Sequence, residues 1–101
     1  MNQLNLRKHR RLQLTGKVFI HDQEHIFIAP LNNVSRGGVF VDKLVALDPG
    51  HPVKVVIKSA DLHSPLQASG IVVRVESENR KGSAIQFNWI DSKAFEQLPA
   101  E

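Results

Sequence analysis

Residues 26–41 read IFIAPLNNVSRGGVFV, a stretch in which a polar hexapeptide at 33–38 separates two apolar runs. Both runs are rich in β-branched and aromatic side chains, the composition typical of β-strands. Gly37 and Gly38 permit positive φ and let another molecule approach the main chain closely. The hexapeptide alone therefore predicts a tight turn between two strands.

The side chains of this turn also suit a ligand. Asn33 and Ser35 are short polar residues that either bond the neighbouring backbone or present an amide and a hydroxyl to a bound molecule. Arg36 carries a planar, permanently charged guanidinium that matches phosphate or the O6/N7 edge of guanine. An exposed arginine in an ordinary turn explains the same residues, so the hexapeptide by itself leaves both interpretations open.

The composition indicates one globular domain. The chain has 101 residues, 42 % of them hydrophobic, and no cysteine. This length predicts a single domain with its own core, and the lack of cysteine excludes disulfides and is compatible with a reducing compartment. No apolar run approaches the roughly 20 residues of a membrane span, and the N-terminus lacks the apolar region of a signal peptide. We therefore expect a cytoplasmic protein without membrane insertion, with a flexible leader at 1–6 and one domain at 7–101.

Short strand-like segments follow one another along the chain. Turns rich in Gly, Pro and Asn separate about six of them. They lie near residues 12–20, 25–31, 39–41, 53–58, 66–75 and 82–90. Asp91 or Ser92 is suited to cap a short helix that ends at Pro99. The pattern predicts an all-β fold with a small α contribution, either an antiparallel barrel or a sandwich, with a C-terminal helix.

Two strands carry more detailed predictions. Within 66–75 the apolar residues occupy even positions before Gly70 and odd positions after it, which predicts a β-bulge or sharp bend at this glycine. In the last strand the alternating residues Ile85, Phe87 and Trp89 are expected on one core-facing side, with the tryptophan as a barrel plug. The phenylalanines inside apolar runs are also expected in the core, which leaves no aromatic stripe for single-stranded nucleic acid. They are Phe19, Phe27, Phe40 and Phe87.

No catalytic constellation stands out in the sequence. His21 and His25 lie four residues apart but have no further ligand at a diagnostic spacing, so no metal site is expected. The chain lacks the Gly-x-Ser-x-Gly, Gly-x-Gly-x-x-Gly and Walker patterns, and its carboxylates lie outside the apolar runs that would raise their pKa values. We therefore expect a non-enzymatic protein that needs no cofactor.

The N-terminal segment is strongly basic. Residues 7–17 contain five Lys and Arg residues and no acid. The pattern shows no amphipathic helical period, which argues against a membrane-surface helix. Such a cluster is either a solvated arm or a site for an anionic partner, namely a nucleotide, a nucleic acid, an acidic protein or a lipid headgroup.

Two separated motifs combine into the signature of a known family. An Arg-x-x-x-Arg segment at 7–11 precedes an Asn-x-Ser-x-x-Gly segment at 33–38, and together they resemble the signature of the PilZ domain family. The similarity extends to a late strand pair at 70–75 and 82–87, where Ala84 replaces a glycine that the family usually carries. The resemblance implies a six-stranded antiparallel β-barrel with a C-terminal helix, in agreement with the strand pattern.

The resemblance also implies a function. PilZ domains bind the bacterial second messenger cyclic di-GMP, so this chain is expected to be a receptor for that nucleotide in bacterial signalling. Arg7 and Arg11 would contact phosphate and guanine and stack on a purine, with Arg10 as a third guanidinium. Asn33 and Ser35 would bond the guanine edge.

The remaining expectations concern the rest of the hexapeptide and the output. Gly38 would keep the barrel surface open beside the guanine, and Arg36 would add a phosphate contact. The basic arm would become ordered over the ligand and so relay the signal to an unidentified effector protein. Leu6, just before the first arginine, offers no guanidinium for a second copy of the ligand, so one copy per site is expected.

Two other functions stay open at this point. One is a PilZ-like protein-interaction module that binds no nucleotide, and the intact motif residues argue against it. The other is a small basic barrel that binds RNA or DNA through the arm, although a nucleic acid is not the expected partner.

Overall fold

Six β-strands and one short helix make up most of the described chain. The computed structural model describes residues 12–77 and 80–99, and the predictions for Arg7, Arg10 and Arg11 lie outside these residues. The strands in chain order are β1 (Gly16–His21), β2 (Ile26–Ser35), β3 (Gly38–Val41), β4 (Pro52–Ser59), β5 (Leu66–Ser77) and β6 (Arg80–Ile90). The helix is α1 (Ser92–Gln97).

The strands form one closed antiparallel barrel in the order β1-β2-β3-β6-β5-β4. β1 pairs with β2 on one side, and on the other side it pairs with β4, from Gly16↔Ser59 to His21↔Lys54. This second pairing closes the sheet and removes its exposed edges. The predicted six-stranded antiparallel barrel with a C-terminal helix is therefore confirmed, and the sandwich is excluded.

Alternation along the strands separates an apolar interior from the outer walls. In β1, Val18 and Ile20 are fully buried, whereas Phe19 between them is half-buried and points outward. The Nζ of Lys58 lies 5.2 Å from the centroid of this phenylalanine ring. The prediction that Phe19 belongs to the core is wrong, because its position in the alternation places it on the outer face.

The other strand phenylalanines differ in their surroundings. Phe27 and Phe87 are half-buried and pack against the core cluster, as predicted. Phe40 is buried as predicted, at 7 % exposure, but it lies outside that cluster. Its neighbours Val39 and Val41 point into the barrel, so Phe40 belongs to the outer wall of β3.

The predicted irregularity at Gly70 of β5 is present, but the strand whose buried face changes is β6 and not β5. The pairing of β5 with β6 shifts between Ser69 and Gly70, and the unpaired extra residue is Asn88 of β6. Leu66 and Val72, on either side of this bulge, are both fully buried. The inference that β5 changes its buried face is therefore wrong, since Leu66, Ala68 and Val72 all point inward and Ile71 and Val73 lie on the outer wall.

The extra residue in β6 turns Trp89 outward. Phe87 before the bulge and Ile90 after it both pack against the core, so the inward face moves from odd to even positions. Trp89 lies in the outward phase and is 53 % exposed. The prediction that it plugs the barrel is wrong, because strict alternation from Ile85 does not include the extra residue Asn88.

Helix α1 packs against the barrel core through Ala94 and Leu98, which are almost completely buried. Asp91 is the N-cap residue, without a side-chain cap hydrogen bond, and Pro99 follows the extended C-cap residue. The predicted helix is confirmed, although it spans Ser92–Gln97 and so ends two residues before Pro99. Among residues 12–77 and 80–99, no helix has the length and apolar character needed to cross a membrane.

The loop between β1 and β2 is organised by one carboxylate. Asp22 Oδ1 accepts hydrogen bonds from the backbone N–H groups of Glu24 at 2.8 Å and His25 at 2.7 Å. Its Oδ2 lies 3.3 Å from Nε2 of His51. The two backbone hydrogen bonds, with smaller contributions from the histidine charges, hold the pKa of the Asp22 carboxyl below its ordinary value.

This pKa shift predicts a pH-dependent contribution to stability. A carboxyl whose folded-state pKa is lowered stabilises the fold above its ordinary pKa and loses that effect as the pH falls through the folded-state value. Asp22→Asn should therefore unfold at a lower temperature than the wild type at pH 7, and the difference should vanish well below about pH 4. Thermal unfolding followed by circular dichroism tests this. Glu24→Gln, in the same loop, is the charge-matched control, and an equal loss there would contradict the assignment.

Candidate ligand-binding site

The hexapeptide at 33–38 forms a tighter corner than its composition indicates. β2 continues through Ser35 and β3 begins at Gly38, so Arg36 and Gly37 alone form the turn. Neither Gly37 nor Gly38 has a positive φ, since Gly50 at φ 88° is the one glycine with this conformation in the part of the chain that the structure describes. Asn33 and Ser35 are therefore strand residues, with side-chain directions set by the barrel.

The chain before β1 pairs with the strand that carries these two residues. Leu12 and Val34 form an antiparallel bridge, with hydrogen bonds of 2.7 Å from Leu12 N–H and 3.0 Å from Val34 N–H. Val34 lies between Asn33 and Ser35. Leu12, the residue that follows the Arg-x-x-x-Arg segment in the sequence, is thus held against the strand that carries the Asn-x-Ser motif.

The strand register shows what surrounds the motif on the outside of the barrel. Val34, Val39 and Ile85 lie side by side on β2, β3 and β6 and point into the core. The residues one position before and after them therefore face outward. One outward row contains Ser35, Gly38, Gln86 and Ile71, and the next contains Asn33, Phe40, Ala84 and Val73. We call these two rows the motif wall.

Each row of the motif wall contains one small residue, Gly38 in the first and Ala84, beside the buried ring of Phe40, in the second. Gly38 and Ala84 lie between the polar residues of β2 and the apolar residues of β5. Ile71 is half-buried and Val73 is 36 % exposed. The wall therefore combines hydrogen-bonding groups at one side with an apolar surface at the other, an arrangement suited to a flat heterocycle.

The polar groups of the motif are linked to their neighbours. The Asn33 side-chain amide donates to Asn32 Oδ1 at 2.7 Å, and the Asn32 amide donates to Asp42 Oδ1 at 2.8 Å. Ser35 is fully buried, and its Oγ accepts a hydrogen bond of 3.2 Å from Gly37 N–H. These contacts hold both motif side chains in defined positions.

Gly38 has a packing role that the sequence did not indicate. β6 approaches so closely that a Cβ atom at this position would overlap the carbonyl oxygen of Ile85. The absent side chain therefore permits the pairing of β3 with β6, whatever else it does for a ligand.

We expect Gly38→Ala to lower the free energy of unfolding by roughly 2–4 kcal/mol, the range for steric overlap with rigid backbone. Urea unfolding measures the change. Gly50→Ala is the control, because a Cβ there meets nothing within 4 Å and the cost is limited to the positive φ of 88°. A smaller loss for Gly38→Ala than for Gly50→Ala would contradict this role.

Arg36 is held by the C-terminal helix. Its Nε donates a 3.1 Å hydrogen bond to the carbonyl oxygen of Phe95, and its guanidinium carbon lies 3.9 Å from the centroid of the Phe95 ring. Phe95 is thus a residue next to the candidate site that sequence analysis missed. Phe95 lies 59 residues after Arg36, so the sequence around Arg36 gives no indication of this contact.

Loss of this contact should loosen helix α1. Arg36→Ala removes one hydrogen bond and one cation–π contact at a partly exposed site, together worth about 1–2 kcal/mol. Hydrogen exchange at the amides of Phe95 and Leu98 should accelerate while the barrel amides stay protected. Lys93→Ala in the same helix is the matched control, and equal acceleration there would show that the helix does not depend on Arg36.

The described chain has a further cavity away from the motif. A cavity of about 610 Å³ lies near the β1–β2 loop, is lined by residues such as His21, Asp22, His51 and Lys54, and includes none of the motif residues. Within residues 12–77 and 80–99, no group of three His, Cys, Asp or Glu side chains is placed to hold a metal ion.

Fold and site together define a small closed antiparallel β-barrel domain with the Asn-x-Ser-x-x-Gly motif on one wall. The family model described as "PilZ domain" matches residues 5–100. The chain belongs to the PilZ domain family.

A solved structure shows the same fold in a longer protein. The barrel is similar to the structure of the Bacillus subtilis inhibitor of motility MotI/DgrA, with a TM-score of 0.72 and 14 % sequence identity. The similarity covers 90 % of this chain and 46 % of that chain, so the present chain spans less than half of its neighbour. At this identity the likeness concerns the fold. No curated protein sequence matches the chain.

Proposed function

We propose that this protein is a receptor for cyclic di-GMP that binds the nucleotide on the motif wall. The observation that carries the proposal is the bridge between Leu12 and Val34. Arg11 is bonded to Leu12, so the Cα atoms of the two residues are about 3.8 Å apart. Arg7 is four residues further, at most about 14 Å along an extended chain. Both arginines of the signature are thereby tethered within reach of Asn33 and Ser35.

The chemistry of the wall suits this ligand. Cyclic di-GMP carries two phosphates and two guanines, which need cationic donors and a flat surface. Arg7, Arg10 and Arg11 supply guanidinium groups for phosphate, for guanine O6/N7 and for stacking. The amide of Asn33 and the hydroxyl of Ser35 complement the guanine edge.

Arg36 and Gly38 take secondary roles in the proposed complex. The Nη groups of Arg36 have no acceptor among the described residues, so they can meet a phosphate while Nε stays on Phe95. Gly38, beside Ser35, leaves room for a purine above the β3–β6 pair. We propose one nucleotide per site, since Leu6 supplies no further guanidinium.

The output of the receptor is proposed to be a change in its N-terminal arm. Arginines that hold the nucleotide order the arm against β2, and an effector protein reads the ordered surface. The contact between Arg36 and Phe95 also links the proposed site to helix α1. A receptor for an intracellular messenger acts in the cytoplasm, and nothing in this scheme requires catalysis.

Arginine and asparagine variants test the site by isothermal titration calorimetry with cyclic di-GMP. Arg7→Ala and Arg11→Ala should each weaken binding by about 10- to 100-fold, the loss expected for a hydrogen bond to a charged group, and Asn33→Ala by about 2- to 10-fold, the loss expected for a neutral hydrogen bond. Circular dichroism should show unchanged folding for the two arm variants. Lys8→Ala in the same arm is the matched control and should bind almost normally.

Three results would overturn the proposal. Wild-type protein that binds no cyclic di-GMP would indicate an interaction module without a nucleotide. Equal losses for Lys8→Ala and Arg7→Ala would indicate nonspecific charge attraction. Displacement of cyclic di-GMP by an oligonucleotide, with a steep dependence on salt, would indicate a nucleic-acid binder.

A further inference from the structure

The barrel wall opposite the motif wall has no part in the proposed nucleotide site. In the closed strand order, β1 lies three strands away from β6, and β4 lies three strands away from β3. The outer face of β1, β4 and the first half of β2 therefore points away from the motif wall. We call it the lysine wall, and its residues combine two features that a solvated sheet face does not need.

The first feature is an apolar centre. The register places Ile28, Phe19 and Val56 side by side on β2, β1 and β4. Ile28 is 49 % exposed, and Ile26 at the start of β2 is 69 % exposed. Exposed apolar side chains make no hydrogen bonds with water. Contiguous exposed apolar groups of this kind mark interaction sites.

The second feature is a set of lysines around that centre. Lys17 and Lys58 are direct cross-strand partners on one side of it, and His21 and Lys54 are partners on the other. Like charges directly opposite each other destabilise a sheet. The described strands of this wall carry no acidic residue, and Lys17, Lys54 and Lys58 have no ion pair with a described carboxylate.

A shallow groove joins the two features. It lies between β1 and β4, has a volume of about 320 Å³, and is lined by residues that include Gly16, Lys17, Phe19 and Lys58. The ammonium group of Lys58 lies over the Phe19 ring. An apolar side chain that enters this groove would contact the ring, and a carboxylate beside it would lie between the two lysines.

We propose that the lysine wall binds a partner protein through an acidic surface with an exposed apolar side chain at its centre. An apolar centre with a charged rim is the usual organisation of a protein–protein interface. A nucleic acid would use the lysines but not the isoleucines. A bilayer takes up protruding apolar tips, whereas Phe19, Ile28 and Val56 lie in the middle of strands. Because the two walls are opposite, the partner can bind whether or not a nucleotide occupies the motif wall.

A titration of ¹⁵N-labelled protein followed by NMR tests the proposal. The probe is a peptide that places leucine and phenylalanine between pairs of glutamates. It should shift the amide signals of β1 and β4. Replacing its glutamates by glutamine, or its apolar residues by serine, should weaken binding at least about tenfold. Two further probes are titrated in parallel. One is a preparation of vesicles that contain phosphatidylserine, and the other is a single-stranded oligonucleotide.

A charge reversal on the wall separates binding from folding. Lys17→Glu replaces a repulsive cross-strand pair by an attractive one, so the variant should melt at a higher temperature than the wild type yet bind the acidic peptide at least about tenfold more weakly. Lys93→Glu on α1 makes the same charge change away from the wall and should bind normally. Lys17→Glu should not change the affinity for cyclic di-GMP, which keeps this test separate from that of the nucleotide site.

The outcomes that overturn the proposal are distinct. An equal loss with Lys93→Glu would mean that net charge alone attracts the peptide. Stronger binding of vesicles or oligonucleotide than of the acidic peptide would assign the wall to a membrane or to a nucleic acid. No shift of β1 or β4 signals at millimolar peptide would mean that the wall is not a docking surface for acidic proteins.

Discussion

Backbone pairing between β1 and β4 is the constraint on which the other features depend. It converts a six-stranded sheet into a closed barrel, so every strand has two neighbours and each residue must point either inward or outward. The interior of such a narrow barrel is filled by aliphatic side chains from all six strands. A ligand or partner can therefore use only the outer walls and the ends, and the register of the strands decides which side chains it meets there.

The bulge at Asn88 shows how one residue redistributes a surface. It lets the inward face of β6 move from Phe87 to Ile90, which places Trp89 outside, while β5 keeps a single inward face. A Cβ atom at Gly70 would overlap the carbonyl oxygen of Gln86, so the absence of a side chain there permits the close approach of the two strands at the bulge. Gly70 of β5 thus lies directly opposite the bulge, although the extra residue of the bulge is in β6.

The motif wall is connected to other parts of the molecule by two contacts. Leu12 joins the end of the basic arm to β2, and Arg36 joins the β2–β3 turn to helix α1. Both contacts involve residues beside the family signature. Leu12, the Asn-x-Ser motif of β2 and the C-terminal helix are thus connected at one corner of the barrel, and a molecule that binds there would contact more than one of these elements. The lysine wall is on the opposite side of the barrel, so the two proposed binding surfaces do not overlap.

The amino-acid sequence by itself determined the strand segments, the terminal helix, the irregularity near Gly70 and the family signature. These features follow from local composition, alternation and turn residues, which act within short segments of chain. Only the tertiary structure decided the outward position of Phe19 and Trp89, the packing role of Gly38 and the contact of Arg36 with Phe95. Each of these depends on a neighbour that is distant in the chain or on a shift in strand register, and a single strand's pattern contains no information about either.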